Sequence, residues 1–168
     1  KFPKLSSKQK RNLKFALGDL VHLSNPLDYQ TYVWNDQVKL TMAFKIMMEE
    51  TYDFLFIIMD LPKRGRCSSD AWHPAIAALK EAKKNAKCPV GLITSLEENM
   101  PEKFAKDLIK HSIIPLTGLE NSLAAVKALQ NVSIQWKIKS TPSIIWERWP
   151  NEKSRVLDEY QSKKVLSR

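Results

Sequence analysis

Apolar positions recur along this chain in two periods, and the switch between them marks the elements. Over residues 6–17, Leu13, Phe15 and Ala16 stand among lysines and polar residues, which predicts a short amphipathic helix capped by Ser6 or Ser7. Gly18 ends it. The apolar run 20–23, closed by Ser24-Asn25-Pro26, predicts a first strand. Pro26 has no N–H to give to a ladder and opens a loop to about Asn35. Asn35 or Asp36 caps a second helix, with Val38, Met42, Phe44, Ile46 and Met47 as its buried stripe. The unbroken apolar run 54–59, bounded by Asp53 and Asp60, predicts a strand buried on both faces, the kind found in helix-covered parallel sheets.

The alternation then repeats. After a polar loop over 61–69, Ser69 or Asp70 caps a helix carrying Ile76, Ala77 and Leu79. It ends in Lys80, Lys83, Lys84 and Lys87, which suit the negative end of the helix dipole. Residues 89–94 read as a third strand, and Pro101 opens a helix with Phe104, Ala105, Leu108 and Ile109 apolar. Residues 112–116 read as a short fourth strand. Gly118 turns the chain into a last helix over 119–130, with Leu119, Leu123, Val126 and Leu129 on one side. A helix followed by four β–α units implies an α/β fold: a doubly wound parallel sheet of about four strands with helices on both faces and right-handed crossovers. Residues 131–156 differ. They hold Trp136, Trp146, Trp149, Pro142 and Pro150, and read as an irregular connector that packs on something. A helical pattern with Leu157, Tyr160, Val165 and Leu166 resumes over 157–168. The organisation is therefore a domain over 1–130, a connector over 131–156 and the start of a further segment.

Charge changes the picture little. The net charge is +9, but residues 1–20 hold six Lys or Arg against one acid, residues 131–168 hold eight against four, and the middle holds 13 of each. The basic excess thus lies in the flanks, and with no zinc-finger or RNA-recognition pattern a nucleic-acid partner is not expected. No apolar run approaches the roughly 18 residues of a membrane span, so no membrane is expected either. Cys67 and Cys88 stand 21 residues apart, neither a metal motif nor a redox pair, and read as free thiols in a reducing cytoplasm. The first residue is Lys1 rather than Met, and the chain reads as a piece of a longer one.

In an open parallel sheet, ligands meet the loops beyond the carboxyl ends of the strands. Those loops carry Asn25, Asp28, Tyr29, Gln30, Asp60, Arg64, Arg66, Thr94, Ser95, Glu97 and Glu98. Neither a dinucleotide fingerprint nor a P-loop is present among only four glycines. Asp60 follows a strand as a phosphoacceptor aspartate would, but no acidic pair follows Leu23. Of the three histidines, His22 reads as a core residue, His73 lies in a helix first turn and His111 ends a helix; none forms a triad or metal set. Arg64-Gly65-Arg66, just ahead of a helix start, is either a solvated loop or a phosphate holder, since free N–H groups and guanidinium forks both suit an anion.

Several segments, in order, resemble one family. Ser24-Asn25-Pro26-Leu27-Asp28-Tyr29-Gln30-Thr31 is similar to a segment of ADP-forming acetyl-CoA and acyl-CoA synthetases. Ile58-Met59-Asp60-Leu61-Pro62 with Arg66-Cys67 and Trp72 looks like the second strand and loop of the same domain. Ile114-Pro115-Leu116-Thr117-Gly118-Leu119-Glu120 with Leu123-Ala124-Ala125 resembles its closing segment, and 157–166 resembles the helix that opens an ATP-grasp module. The resemblance implies a flavodoxin-like CoA-ligase domain, the second of two in the parent enzyme, related to those of succinyl-CoA synthetase. It implies the reaction acyl-CoA + ADP + phosphate ⇌ acid + CoA + ATP, through an acyl phosphate and a phosphohistidine that lies outside this chain. Its implied partners are the CoA-binding, phosphohistidine and ATP-grasp domains of the parent chain and a carboxylic acid substrate, with a homo-oligomer left open. ATP or ADP, Mg and CoA are implied for the parent and none for this domain alone. Asn25, Asp28, Tyr29 and Asp60 are the family-motif loop residues. Arg64, Arg66, Ser69 and Asp70 surround the helix start that would support phosphate. This loop lacks the glycine pair of succinyl-CoA synthetases. The alternative is a non-catalytic binding or regulatory module with the same fold.

Overall fold

The computed structural model describes residues 2–63, 65–138 and 156–167. They fall into two compact units, 1–133 and 134–168. The first is an α/β unit whose order is α1 (Ser7–Leu17), α2 (Gln37–Met48), β1 (Leu55–Ile58), α3 (His73–Lys83), β2 (Val90–Thr94), α4 (Glu102–Lys110), β3 (Ile114–Thr117) and α5 (Leu119–Trp136), the last running on into the second unit. The second unit holds α6 (Glu159–Leu166), which Asp158 caps by accepting the Gln161 N–H at 2.7 Å.

All strand pairs are parallel, in the order β1-β2-β3, with Leu55 opposite Val90 and Gly91 opposite Ile114. The architecture is a parallel sheet with helices around it, consistent with a flavodoxin-like fold, with three strands instead of four. Residues 20–23 do not form the expected first strand. Val21 is buried but Leu20 is 83% exposed, and β1 pairs directly with β2, so the sheet offers the segment no place between them. His22, read as a core residue, is exposed. Both crossovers step the same way, and right-handed connections then set α3 and α4 on one face of the sheet.

The helices form where their caps and apolar stripes dictate. Ser6 and Gln9 make a reciprocal capping box at α1, and Gly18 closes it at φ +81°, a conformation that favours glycine. Asp36 caps α2 by accepting the Lys39 N–H at 2.9 Å. The stripes agree in part with those expected: Leu13 and Ala16 of α1 and Phe44 and Ile46 of α2 are buried, but Phe15 (85% exposed) and Val38 (70%) face water, and Leu17, Leu40, Ala43 and Met48 are buried beside them. One core joins these to Ala75, Ile76, Ala78, Leu79 and Ala82 of α3, to Leu108 of α4, and to Ile57, Val90 and Leu92 of the sheet. The alanines of α3 let the α2 backbone approach closely. Helix α5 continues through Trp136, so the expected connector begins helical; residues 139–155, with Trp146 and Trp149, lie outside the described residues.

Candidate functional site

The carboxyl end of the sheet is organised by Asp60. Pairing of β1 with β2 runs one step past the strand, where the Met59 N–H bonds the Ile93 carbonyl at 3.0 Å. This fixes the backbone on which Asp60 sits beside the first residue after β2. Asp60 Oδ1 accepts the Ser95 backbone N–H at 2.7 Å and the Asn99 side-chain amide at 3.1 Å, and Oδ2 accepts the Ser95 hydroxyl. Partial burial works to raise this carboxyl, but the donors on Ser95 and Asn99 outweigh it and hold it below the usual carboxylate range. An ionised acceptor with three donors already in place is a poor proton shuttle near neutral pH. It pins the loop after β1 to the loop after β2. Asn99 arrives through the 3₁₀ turn Glu97–Asn99, which rests on an Asn99 N–H bond to the Leu96 carbonyl at 3.2 Å. Asp60 and Ser95 are legible in the sequence as the residues that end two strands. Asn99 is not, because its reach depends on that turn.

The loop after β1 then leads into α3. The helix begins at His73, later than the sequence predicts, and a 3₁₀ turn, Asp70–Trp72, precedes it. Ser69 makes no side-chain cap; instead its carbonyl accepts the Trp72 N–H at 3.0 Å. The Asp70 N–H goes to the Ser68 hydroxyl at 3.1 Å and the His73 N–H to the Asp70 carbonyl, while Pro74 has no N–H at all. Asp70 itself is exposed, 3.8 Å from His73 Nδ1. Arg66 is exposed, its N–H bonded to the Lys63 carbonyl at 3.1 Å; Arg64 lies outside the described residues. Trp72 packs edge-on against Trp34 at 5.3 Å, which ties the segment before α2 to the start of α3. The Trp72 indole N–H is buried without an acceptor among the described residues.

The remaining motif residues act on the amino-terminal side. Asn25 donates to the Pro3 carbonyl at 3.0 Å, and Asp28 accepts the Gln30 N–H at 3.0 Å, holding Gln30 at φ +63°. Tyr29 packs edge-on against Phe44 at 5.4 Å. Burial, and then the neighbouring Asp28 charge, push the Tyr29 phenol up to about 12, so it stays protonated. Among the described residues no group of three or more His, Cys, Asp or Glu is placed to hold a metal ion, and no helix is long and apolar enough to cross a membrane. Cys67 is exposed, and burial raises the Cys88 thiol.

No family model matches the chain, and no curated protein or solved structure matches it.

Proposed function

We propose that this chain is a flavodoxin-like domain of an ADP-forming acid–CoA ligase, where it positions the loop and helix start that face a phosphohistidine carried by another domain. The observation that carries this reading is the ordered set of resembling segments, 24–31, 58–72 and 114–125. The segment 58–72 runs from the carboxyl end of β1 into α3, which is where parallel sheets meet ligands. In this reading Asp60 anchors the loop through Ser95 and Asn99. The first turn of α3 sets fixed positive dipole against phosphate charge, and Arg64 and Arg66, which precede it in the sequence, add cationic charge. ATP, Mg, CoA and the carboxylic acid would bind with the parent's other domains, and the domain acts in the cytoplasm.

A binding or regulatory module of the same fold is the second reading. It is favoured by the start of α3, where the N–H groups of Asp70, Trp72 and His73 already have acceptors and Asp70 adds a negative charge. One assay separates the two: ADP release by the complete parent protein with ATP, CoA and a panel of short carboxylic acids, beside this chain alone. The ligase reading expects acid-dependent ADP release by the parent and none by the chain. A folded parent that releases no ADP with any acid sinks it in favour of the module. If the parent is active and Arg64→Ala/Arg66→Ala leaves its phosphohistidine formation unchanged, the arginines have no part.

A further inference from the structure

A groove of about 790 Å³ runs between α3 and α4, on the helical layer of the α/β unit. Its floor is apolar: Ile76 is buried and Phe104 half-buried. One wall carries Lys80 from α3. The other carries Lys103, Lys106 and Lys110 from α4, which three- and four-residue spacing sets along one side of that helix. The cations are unequally used. Lys80 bonds Asp107 across the groove and Lys106 pairs with Glu102 at 2.5 Å. Lys103 and Lys110 have no ion pair among the described residues. The groove is therefore a strip of apolar surface edged by a net positive charge, in a segment of the chain that is neutral overall.

The arrangement of those charges identifies what fits. From Lys103 to Lys110 the helix rises roughly 10 Å, so the ammonium groups are spread along the groove instead of converging on one point. A lone phosphate or carboxylate needs donors that converge. A nucleic-acid strand needs exposed aromatic planes beside the cations, and the ring here is half sunk into the floor. A helix with apolar residues three and four apart and acidic residues along its flanks meets both features at once, since its stripe covers Leu61, Pro101 and Phe104, above the buried Ile76, while its carboxylates reach the two unpaired lysines. We propose that the α3–α4 groove is a docking site for an acidic amphipathic helix of a partner protein or domain.

The test uses the full chain and a defined probe, a fluorescein-labelled peptide of about 14 residues with leucines at helical spacing and glutamates on both flanks. Binding is read by anisotropy, and the contacted residues by amide shifts in the chain. Lys103 and Lys110 are exposed, so Lys103→Glu/Lys110→Glu leaves the core intact, which a thermal melt checks. The expected result is saturable binding that perturbs Ile76 and Phe104, weakens as salt rises, and falls by at least about tenfold in the double variant and with a scrambled peptide of the same composition. Absence of binding overturns the proposal, as does equal binding of the scrambled peptide or equal binding by the double variant. A single-stranded oligonucleotide that binds with the same charge-reversal loss, where the peptide does not, replaces it with a nucleic-acid surface.

Discussion

The two faces of the sheet are built from equally apolar residues and end up in different states. On the face toward α3, Leu55, Ile57, Val90 and Leu92 join one core with the helices, and Leu92 is wholly buried. On the opposite face the register aligns Phe56 with Gly91 and Ile114, and Ile58 with Ile93 and Leu116. There Ile93 is fully buried, yet Ile58 is 53% and Ile114 40% exposed. The difference teaches that an apolar run reports what a strand is able to bury, and that its neighbours decide how much it does. The second face solves its packing locally. Gly91 leaves room for the Phe54 ring: a Cβ there would sit 2.9 Å from one Phe54 ring carbon and 3.2 Å from a Leu116 methyl.

The comparison is broken most strongly from the first face. Leu92→Ala removes a wholly buried side chain and is expected to cost about 2–5 kcal/mol, read as a lowered urea midpoint at unchanged slope. A cost near zero would mean that this face is not the core. Gly91→Ala should cost about 1–3 kcal/mol through overpacking against Phe54. Phe54→Leu in the Gly91→Ala background should recover part of that loss, and a double-mutant cycle with no coupling would remove the local-packing account.

Asp60→Ala, at the end where both faces meet the loops, is expected to cost about 1–2 kcal/mol by releasing the Ser95 and Asn99 bonds. Its pH signature has a definite sign. The folded carboxyl is held below its unfolded value, so its contribution is present above the unfolded value and disappears as pH falls through the folded one. The wild-type chain should therefore lose more stability than the variant on acidification below the ordinary aspartate range. Parallel acid limbs for the two proteins would show the carboxylate to be unpaired in solution. The smallest effect is expected at Ile58→Thr, within about 0.5 kcal/mol of wild type because half of the side chain is already in water. A cost matching that of Leu92→Ala would show that something covers the second face in solution.

The caps of α1 and α2 and the three strands are legible in the sequence, the caps because each rests on contacts a few residues apart, the strands because each is a short apolar run bounded by polar or turn residues. Ser6 with Gln9, Asp36 with the Lys39 N–H, and Gly18 at positive φ are all local events. The runs at 54–59 and 89–94 are apolar enough that no exposed alternative competes with a sheet. The segment 20–23 looks the same at short range, but a strand also needs a partner, and no strand among the described residues pairs with it. The start of α3 is the same kind of case, since Ser69 and Asp70 are good caps by type but a 3₁₀ turn stabilised by Ser68 and by the Trp34–Trp72 contact delays the helix to His73.

For the candidate site the division is similar. Sequence alone marks Asp60 and Ser95 as strand-end residues and ranks Asn25, Asp28 and Tyr29 as motif positions. Tertiary structure decides that Asp60 gathers Ser95 and Asn99 from across the sheet, while Asn25, Asp28 and Tyr29 spend their polar and aromatic groups on Pro3, Gln30 and Phe44. The same holds for the groove, where lysines from two helices become one charged edge only after α3 and α4 are laid side by side. By itself the sequence determined the α/β class, the caps of α1 and α2 and the places of three strands, since periodicity and capping act over a few residues; that β1 is buried on one face only was not legible, and Ile58 is 53% exposed. Strand number, the late start of α3 and the meeting of Asp60 with Asn99 were decided only in three dimensions, because each depends on which distant segment occupies the neighbouring place.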